Sequence, residues 1–138
     1  MAARAAALGL ADQVEIVRSP DDAALQALLG RARALLYTPV DEHFGLVPIE
    51  AMAAGRPVIA ADSGGPTETV LEGVTGFLRP PTAAAFADAL RLLVEDPALA
   101  DRLGAAGRAR AATRFSLAAF GERLEAVIRA AASPTTPL

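Results

Sequence analysis

Four short apolar runs, each followed by a turn and a helix signal, most strongly constrain the fold of this 138-residue chain. The runs cover residues 14–17, 35–38, 57–61 and 76–78. Strands that are apolar throughout and alternate with helices form parallel sheets that are covered on both faces. We therefore predict an α/β fold with a partial doubly wound, Rossmann-like parallel sheet, in which ligands bind at the carboxyl ends of the strands.

Capping residues, prolines and glycines mark where helices are predicted to begin and end. Ser19 is the predicted N-cap of a helix that starts at Pro20, and Gly55 closes a predicted helix over residues 48–54. A short helix is predicted over 67–72. Three later helices are predicted to begin at the caps Thr82, Asp96 and Ser116. We assign residues 1–132 to one partial domain and residues 133–138 to a disordered tail.

Missing residue types exclude several classes of function. The chain has no cysteine, no lysine and no asparagine, and its one histidine is His43. Disulfides, thiolate catalysis, cysteine-ligated metals, Schiff-base chemistry and multi-histidine metal sites are therefore excluded, and no metal site is expected. A net charge of −3 and 4% aromatic residues argue against nucleic-acid binding. Since no apolar run reaches 18 residues, no membrane span is expected.

Two glutamates frame the loop that follows the second apolar run. Glu42 and Glu50 are separated by seven residues, and Gly45 between them lets the backbone approach a ligand closely. The amides at the following helix start favour a phosphate, and Pro48 suits the first turn because it has no N–H there. Glu50, which we place in that first turn, could accept two vicinal sugar hydroxyls, with Glu42 nearer the reactive end.

A second loop, Ser63-Gly64-Gly65-Pro66, follows the third run. Its small residues allow backbone amides to meet an anion, and adjacent parallel strands would place both loops on one sheet edge. Purely structural alternatives stay open. Glu50 could serve only as a helix-dipole partner and Glu68 as a cap, Glu42 and His43 could be solvated surface residues, and the glycines could form an ordinary turn.

Six motifs in order carry a resemblance to a known family. They are Tyr-Thr-Pro at 37–39, Glu-His-Phe-Gly at 42–45, Val-Pro-Ile-Glu-Ala-Met at 47–52, Pro-Val-Ile-Ala at 57–60, Ser-Gly-Gly-Pro at 63–66 and Thr-Gly-Phe-Leu at 75–78. From about residue 8 to residue 128, the chain resembles the C-terminal, donor-binding half of the family 4 retaining glycosyltransferases, which have the GT-B fold. Within this family, the motif Glu-His-Phe-Gly, with its histidine, most resembles the motif of mannosyltransferases that extend the dolichol-linked oligosaccharide from GDP-mannose.

The resemblance implies roles for individual residues. Glu42 would be the catalytic residue that contacts hydroxyls of the donor sugar, and Glu50 would hold the ribose. The donor-binding set implied by the resemblance is His43, Phe44, Gly45, Leu46, Glu50, Ser63, Gly64 and Gly65. No cofactor beyond the nucleotide-sugar is implied, and the absence of an Asp-x-Asp motif agrees with the metal-independent chemistry of the family.

The resemblance also implies that much of an enzyme is missing. The acceptor-binding N-terminal half would be absent, together with the first two strands of the donor domain. We therefore expect a fragment that is inactive alone, exposes strand edges and self-associates. The complete protein would bind a lipid-linked or other glycan acceptor, in the cytoplasm or on the cytosolic face of the endoplasmic reticulum. Two alternatives are a bacterial family member that uses another nucleotide-sugar and a non-catalytic binding or assembly module.

Overall fold

The computed structural model describes residues 1–132, which contain one parallel sheet of three strands. Strand β1 spans Leu35–Tyr37, β2 spans Val58–Ala61 and β3 spans Gly76–Arg79, in the order β1-β2-β3. In the register of the sheet, Ile59 at its centre lies between Leu36 and Phe77. These strands form at the second, third and fourth apolar runs, which confirms the predicted α/β class.

Seven helices surround the sheet in the described part of the chain. They are α1 Ala2–Ala7, α2 Asp22–Arg31, α3 Leu46–Ala53, α4 Pro66–Thr69, α5 Ala83–Glu95, α6 Pro97–Arg114 and α7 Leu117–Ala132, with a 3-10 turn at Ala11–Gln13. The three predicted caps are confirmed, because the side chains of Thr82, Asp96 and Ser116 each accept a backbone N–H from three residues further on.

The core lies on both faces of β2, as the sequence predicts for a strand that is apolar throughout. Ile59 and Ala61 pack against a cluster that includes Leu93 of α5 and residues of α6. Val58 and Ala60 face the opposite side, where Met52 of α3 is fully buried. All four β2 side chains are buried, so the central strand of the sheet has a fixed position. The loops of the candidate site follow the carboxyl ends of β1 and β2.

Helix α6 lies very close to α3 because two residues of α6 at the contact are glycines. A Cβ added to Gly104 would overlap the Gly55 carbonyl, and one added to Gly107 would lie 3.1 Å from Cγ of Met52. Such close approach packs the C-terminal end of α3 tightly against α6.

The first apolar run does not form the predicted strand. Residues 14–17 pair with no strand within the described residues, and Ile16 and Val17 are more than 40% exposed. Glu15 is tied to Arg31 of α2 by an exposed ion pair of 3.1 Å, which is a weak constraint. A strand needs a neighbour to satisfy its backbone groups, and none of the strands within residues 1–132 pairs with this run.

Helix boundaries also differ from the prediction, and α3 begins at Leu46 instead of residue 48. Asp21, not Ser19, caps α2, since its carboxylate accepts the Ala24 N–H at 2.8 Å. Helix α4 ends at Thr69, before the predicted residue 72, because the Leu71 N–H donates to the Thr75 hydroxyl at 2.9 Å and turns the chain. The predicted tail, residues 133–138, lies outside the described residues.

Candidate functional site

The loops that follow β1 and β2 meet at one edge of the sheet, as their order along the chain predicts. We call residues 38–45 the first loop and residues 62–65 the second loop. The Asp41 backbone N–H donates to the Ser63 hydroxyl at 3.1 Å, and that hydroxyl donates to Oδ1 of Asp41 at 2.7 Å. The Gly65 N–H donates to the Glu42 carbonyl at 2.6 Å. Side chains and backbone therefore both join the two loops.

The glycines of the second loop allow this contact between two backbones. Gly64 has a φ of +61°, and a Cβ on it would overlap the Glu42 carbonyl. A Cβ on Gly65 would overlap the backbone of Phe44. The prediction that the amides of this loop meet an anion is wrong for Ser63 and Gly65. The Ser63 amide donates to the Ala61 carbonyl and the Gly65 amide to Glu42.

Glu42 is half-buried, and both oxygens of its carboxylate accept hydrogen bonds. Oε2 accepts from the Tyr37 hydroxyl at 3.3 Å, and Oε1 accepts from the His43 backbone N–H at 3.1 Å. Burial raises the pKa of the Tyr37 phenol, and the charge of Glu42 and its hydrogen bond raise it further. The phenol thus stays protonated at neutral pH and holds Glu42 in place.

The start of α3 lies directly after the first loop and offers free backbone amides. Gly45, the N-cap, is buried with a φ of +76°, and no side chain caps the helix in the described part of the chain. The N–H groups of Leu46 and Val47 have no partner within the helix, and Pro48 has none to donate. This end of α3 therefore carries partial positive charge that suits a phosphate group.

Glu50 is the fifth residue of α3, because the helix begins at Leu46. The placement of Glu50 in the first turn is therefore wrong, and its alternative role as a first-turn dipole partner loses support. The half-buried Glu50 and Glu42 lie on either side of the Gly45 cap, one on the helix and one on the loop. Glu42 therefore lies on the loop three residues before the Gly45 cap, and Glu50 lies on the helix five residues after it.

Two residues that the sequence did not single out organise the site. Asp41 joins the loops as described above. Arg110 of α6 donates from Nε to the Thr69 carbonyl and from Nη2 to the Glu68 carbonyl, both at 2.8 Å, and so caps the end of α4. Burial and the nearby Arg114 lower the pKa of Arg110, which still remains charged at neutral pH. Neither role had a local sequence signal, because each partner is distant along the chain.

An aromatic contact connects α6 to the first loop. The Arg110 guanidinium lies 5.3 Å from the centre of the Phe115 ring, which meets the Phe44 ring edge-on at 6.3 Å. The Phe44 side chain is exposed, as is His43. In the first loop, a ring contact thus holds Phe44, and hydrogen bonds to both carboxylate oxygens hold Glu42.

Residues 1–132 contain neither a metal-binding cluster nor a membrane-spanning helix. Among these residues, no group of three or more His, Cys, Asp or Glu side chains could hold a metal ion. No helix in the same range is both long and apolar enough to span a bilayer.

Comparison with known proteins identifies the family. The family described as "Glycosyl transferases group 1" matches residues 1–110. The alpha-1,3/1,6-mannosyltransferase ALG2 of Dictyostelium discoideum is 39% identical over 88% of this chain and 29% of its own length. The human protein of that name is 44% identical over 83% of this chain and 28% of its own length. The chain spans less than a third of these relatives.

Solved structures agree with this similarity. Sucrose-phosphate synthase from Thermosynechococcus elongatus superposes with a TM-score of 0.84 at 37% identity, over 92% of this chain and 32% of that one. HepE from Anabaena, in complex with UDP-glucose, gives 0.82 at 28% identity over 93% of this chain and 35% of its own. Both confirm the GT-B prediction for this part of the fold. The chain belongs to the group 1 glycosyl transferases.

Proposed function

We propose that the protein containing this chain is a mannosyltransferase that extends the dolichol-linked oligosaccharide, and that this chain forms part of its donor site. The similarity to ALG2 proteins from Dictyostelium discoideum and human supports this activity. The Glu-His-Phe-Gly motif at 42–45 is one of the sequence features by which the chain resembles such enzymes. The remainder of the protein binds the lipid-linked acceptor, on the cytosolic face of the endoplasmic reticulum in a eukaryote.

One structural observation carries the proposal at the level of chemistry. A carboxylate fixed by Tyr37 and the His43 amide lies on the loop that leads into α3, whose first two amides have no partner within the helix. A nucleoside diphosphate sugar has the matching parts, since its phosphates accept hydrogen bonds and its sugars donate them. Glu42 would accept from hydroxyls of the transferred sugar, and the amides of Leu46 and Val47 would donate to the diphosphate.

Glu50 holds the nucleotide end of the donor in this proposal. Its carboxylate lies beyond the first turn of α3 and is half-buried, so it can accept from the two ribose hydroxyls with reduced competition from water. Ribose contacts do not distinguish bases. The choice of GDP-mannose as donor is therefore supported by the mannosyltransferase relatives and not by the contacts of Glu50.

Transfer would proceed with retention through an oxocarbenium-like transition state, in which negative charge develops on the leaving phosphate. Amides that already point at that phosphate need no reorganisation when the charge develops, and such preorganised donors are a major source of rate enhancement. The proposal needs no cofactor or divalent metal, because the amide donors and the positive end of the α3 dipole offset the charge.

The similarity to HepE, whose structure contains UDP-glucose, favours a second candidate in which the donor is a UDP-sugar. The test is to assay the complete protein with GDP-mannose and UDP-glucose, with and without EDTA. We expect mannose transfer from GDP-mannose that EDTA leaves intact. Transfer from UDP-glucose alone would favour the second candidate, and activity lost in EDTA and restored by magnesium would contradict the metal-independent mechanism.

A further inference from the structure

We propose that Asp41 and Ser63 are positioning residues: their paired hydrogen bonds clamp the two loops together and hold the Glu42 carboxylate in its working orientation. We call this pair the loop clamp. Its consequence for sugar transfer rests on the proposed function, whereas its effect on Glu42 does not.

The loop clamp consists of two bonds made by one hydroxyl. Oγ of Ser63 accepts the Asp41 backbone N–H at 3.1 Å and donates to Oδ1 of Asp41 at 2.7 Å. The backbone and the side chain of Asp41 are therefore both held by a residue 22 positions later in the chain. With its proton committed to Asp41, the Ser63 hydroxyl is placed to join the loops rather than to donate to a ligand.

The next residue along the chain continues the same contact. The Glu42 carbonyl accepts the Gly65 N–H at 2.6 Å, so the backbone is fixed on both sides of the Asp41–Glu42 peptide. A side chain can point reproducibly only when its own backbone is fixed. The Glu42 carboxylate then meets Tyr37 and the His43 amide, which fix its two oxygens.

The backbone of Asp41 shows why a clamp is needed. Its φ is +58°, a conformation that non-glycine residues adopt at some cost and that Asp and Asn tolerate best. Strained backbone persists where surrounding contacts over-determine it. Without the Ser63 hydroxyl, Asp41 is free to relax to a negative φ, and that rotation would turn the Glu42 side chain away from Tyr37.

Tyr37 provides a direct optical report on Glu42. It is the one tyrosine of the chain, which has no tryptophan, lysine or cysteine, so its ionisation can be followed by ultraviolet absorbance without interference. The charge and hydrogen bond of Glu42 raise its pKa in addition to the effect of burial. Any substitution that moves Glu42 away must therefore lower the pKa of Tyr37.

The experiment titrates Tyr37 in the 138-residue chain and in five variants, with circular dichroism at each pH to show that the fold persists. Glu42→Gln sets the reference for complete loss of the Glu42 charge. We expect Ser63→Ala and Asp41→Ala to lower the Tyr37 pKa toward that reference. Ser63→Thr, which keeps the hydroxyl, and Asp41→Asn, which keeps the acceptor oxygen without the charge, should keep the Tyr37 pKa near that of the parent chain.

Several results would overturn the loop clamp. Ser63→Ala with an unchanged Tyr37 pKa would show that Glu42 stays in place without the hydroxyl. An Asp41→Asn chain that behaves like Asp41→Ala would assign the effect to charge alone. An unchanged Tyr37 pKa in Glu42→Gln would remove the premise that Glu42 contacts Tyr37 in solution.

A parallel titration with GDP separates this inference from the proposed function. If the Tyr37 pKa responds as expected while the parent chain fails to bind GDP, the loop clamp stands and the proposed donor site fails. If GDP binds and Ser63→Ala changes neither its affinity nor the Tyr37 pKa, the donor site stands and the clamp fails.

Discussion

Glu42 and Glu50 are held differently, and this difference separates their expected roles. Both oxygens of Glu42 accept hydrogen bonds from the protein itself, so these contacts fix the position of its carboxylate. Preorganisation of this kind favours the transition state, because no ordering remains to be done during the reaction. Glu50 is half-buried on the second turn of α3, a position suited to contact the nucleotide end of a donor.

Glu50→Ala should weaken GDP binding about tenfold. A hydrogen bond to a charged group contributes about 1.5–3 kcal/mol. Because Glu50 is partly exposed, we expect a loss near the lower end of that range. A loss of about 1.4 kcal/mol corresponds to a tenfold loss of affinity. Titration calorimetry with GDP would measure the change. Glu122→Ala on the exposed face of α7 is the matched control and should bind as the parent does. Unchanged affinity in a folded Glu50→Ala chain would assign Glu50 a purely structural role.

Glu42→Gln should lower kcat of the complete enzyme by roughly 10- to 100-fold and leave KM for the donor nearly unchanged. The substitution removes a charged hydrogen-bond acceptor that contributes about 1.5–3 kcal/mol. That contribution is greatest in the transition state, because positive charge develops on the sugar there, so kcat falls and KM does not. Tyr37→Phe is the control, since it keeps the carboxylate and removes one bond to it. A Glu42→Gln enzyme with normal kcat and a raised KM would show that Glu42 acts in binding alone.

At the scale of whole elements, close packing between backbones holds the site together. Gly65 has an ordinary helical φ of −53°, so alanine fits its conformation, but a Cβ would overlap the Phe44 backbone. The second loop can therefore approach the first only while residue 65 lacks a side chain. The same principle holds α6 against α3 at Gly104 and Gly107.

Gly65→Ala should lower the free energy of unfolding by about 1–3 kcal/mol, the usual cost of overpacking. Gly30→Ala is the matched control, because Gly30 lies in α2 and nothing stands within 4 Å of its added Cβ. Alanine is the better helix former, so the control should gain up to about 1 kcal/mol. Urea denaturation would measure both. Equal stabilities for the two variants would contradict the close contact between the loops.

Three of the four apolar runs that the sequence predicts as strands form strands in the structure. Runs at 35–38, 57–61 and 76–78 became strands because each has a neighbour in the sheet. The run at 14–17 did not, although it is the richest of the four in β-branched residues, since pairing is a property of two segments and no local pattern reveals a missing partner. The first loop was placed correctly at the sheet edge. Its bond from Asp41 to Ser63 and the Arg110 cap were missed because they join residues distant in sequence.

On the scale of the whole molecule, the exposed apolar surface includes helix α7 and the outer edge of β1. Helix α7 has no buried residue in the described chain, and Phe120 and Val127 on it are 55% and 64% exposed. At the outer edge of β1, Leu36 is 44% exposed and an unpaired strand edge is available. Exposed patches and edges of this kind promote association.

The 138-residue chain by itself should therefore form a species larger than its 14.1 kDa mass and should not transfer sugar. Transfer needs an acceptor held against the donor, and the chain spans less than a third of its mannosyltransferase relatives. Light scattering and a transfer assay with GDP-mannose would test both statements. Phe120→Glu should shift the chain toward the monomer. A monomeric parent chain that turns over donor would contradict this account.

The most direct test of the proposed donor site is a nuclear magnetic resonance titration of the isotope-labelled chain with GDP. Phosphate bound at the start of α3 must contact the free amides there, so the account predicts saturable shifts at Gly45, Leu46 and Val47, reduced in Glu50→Ala. Adding phosphate in place of GDP controls for unspecific anion effects. Shifts confined to other elements, such as α7, or no shifts at millimolar GDP would contradict the assignment of this sheet edge as a nucleotide-sugar site.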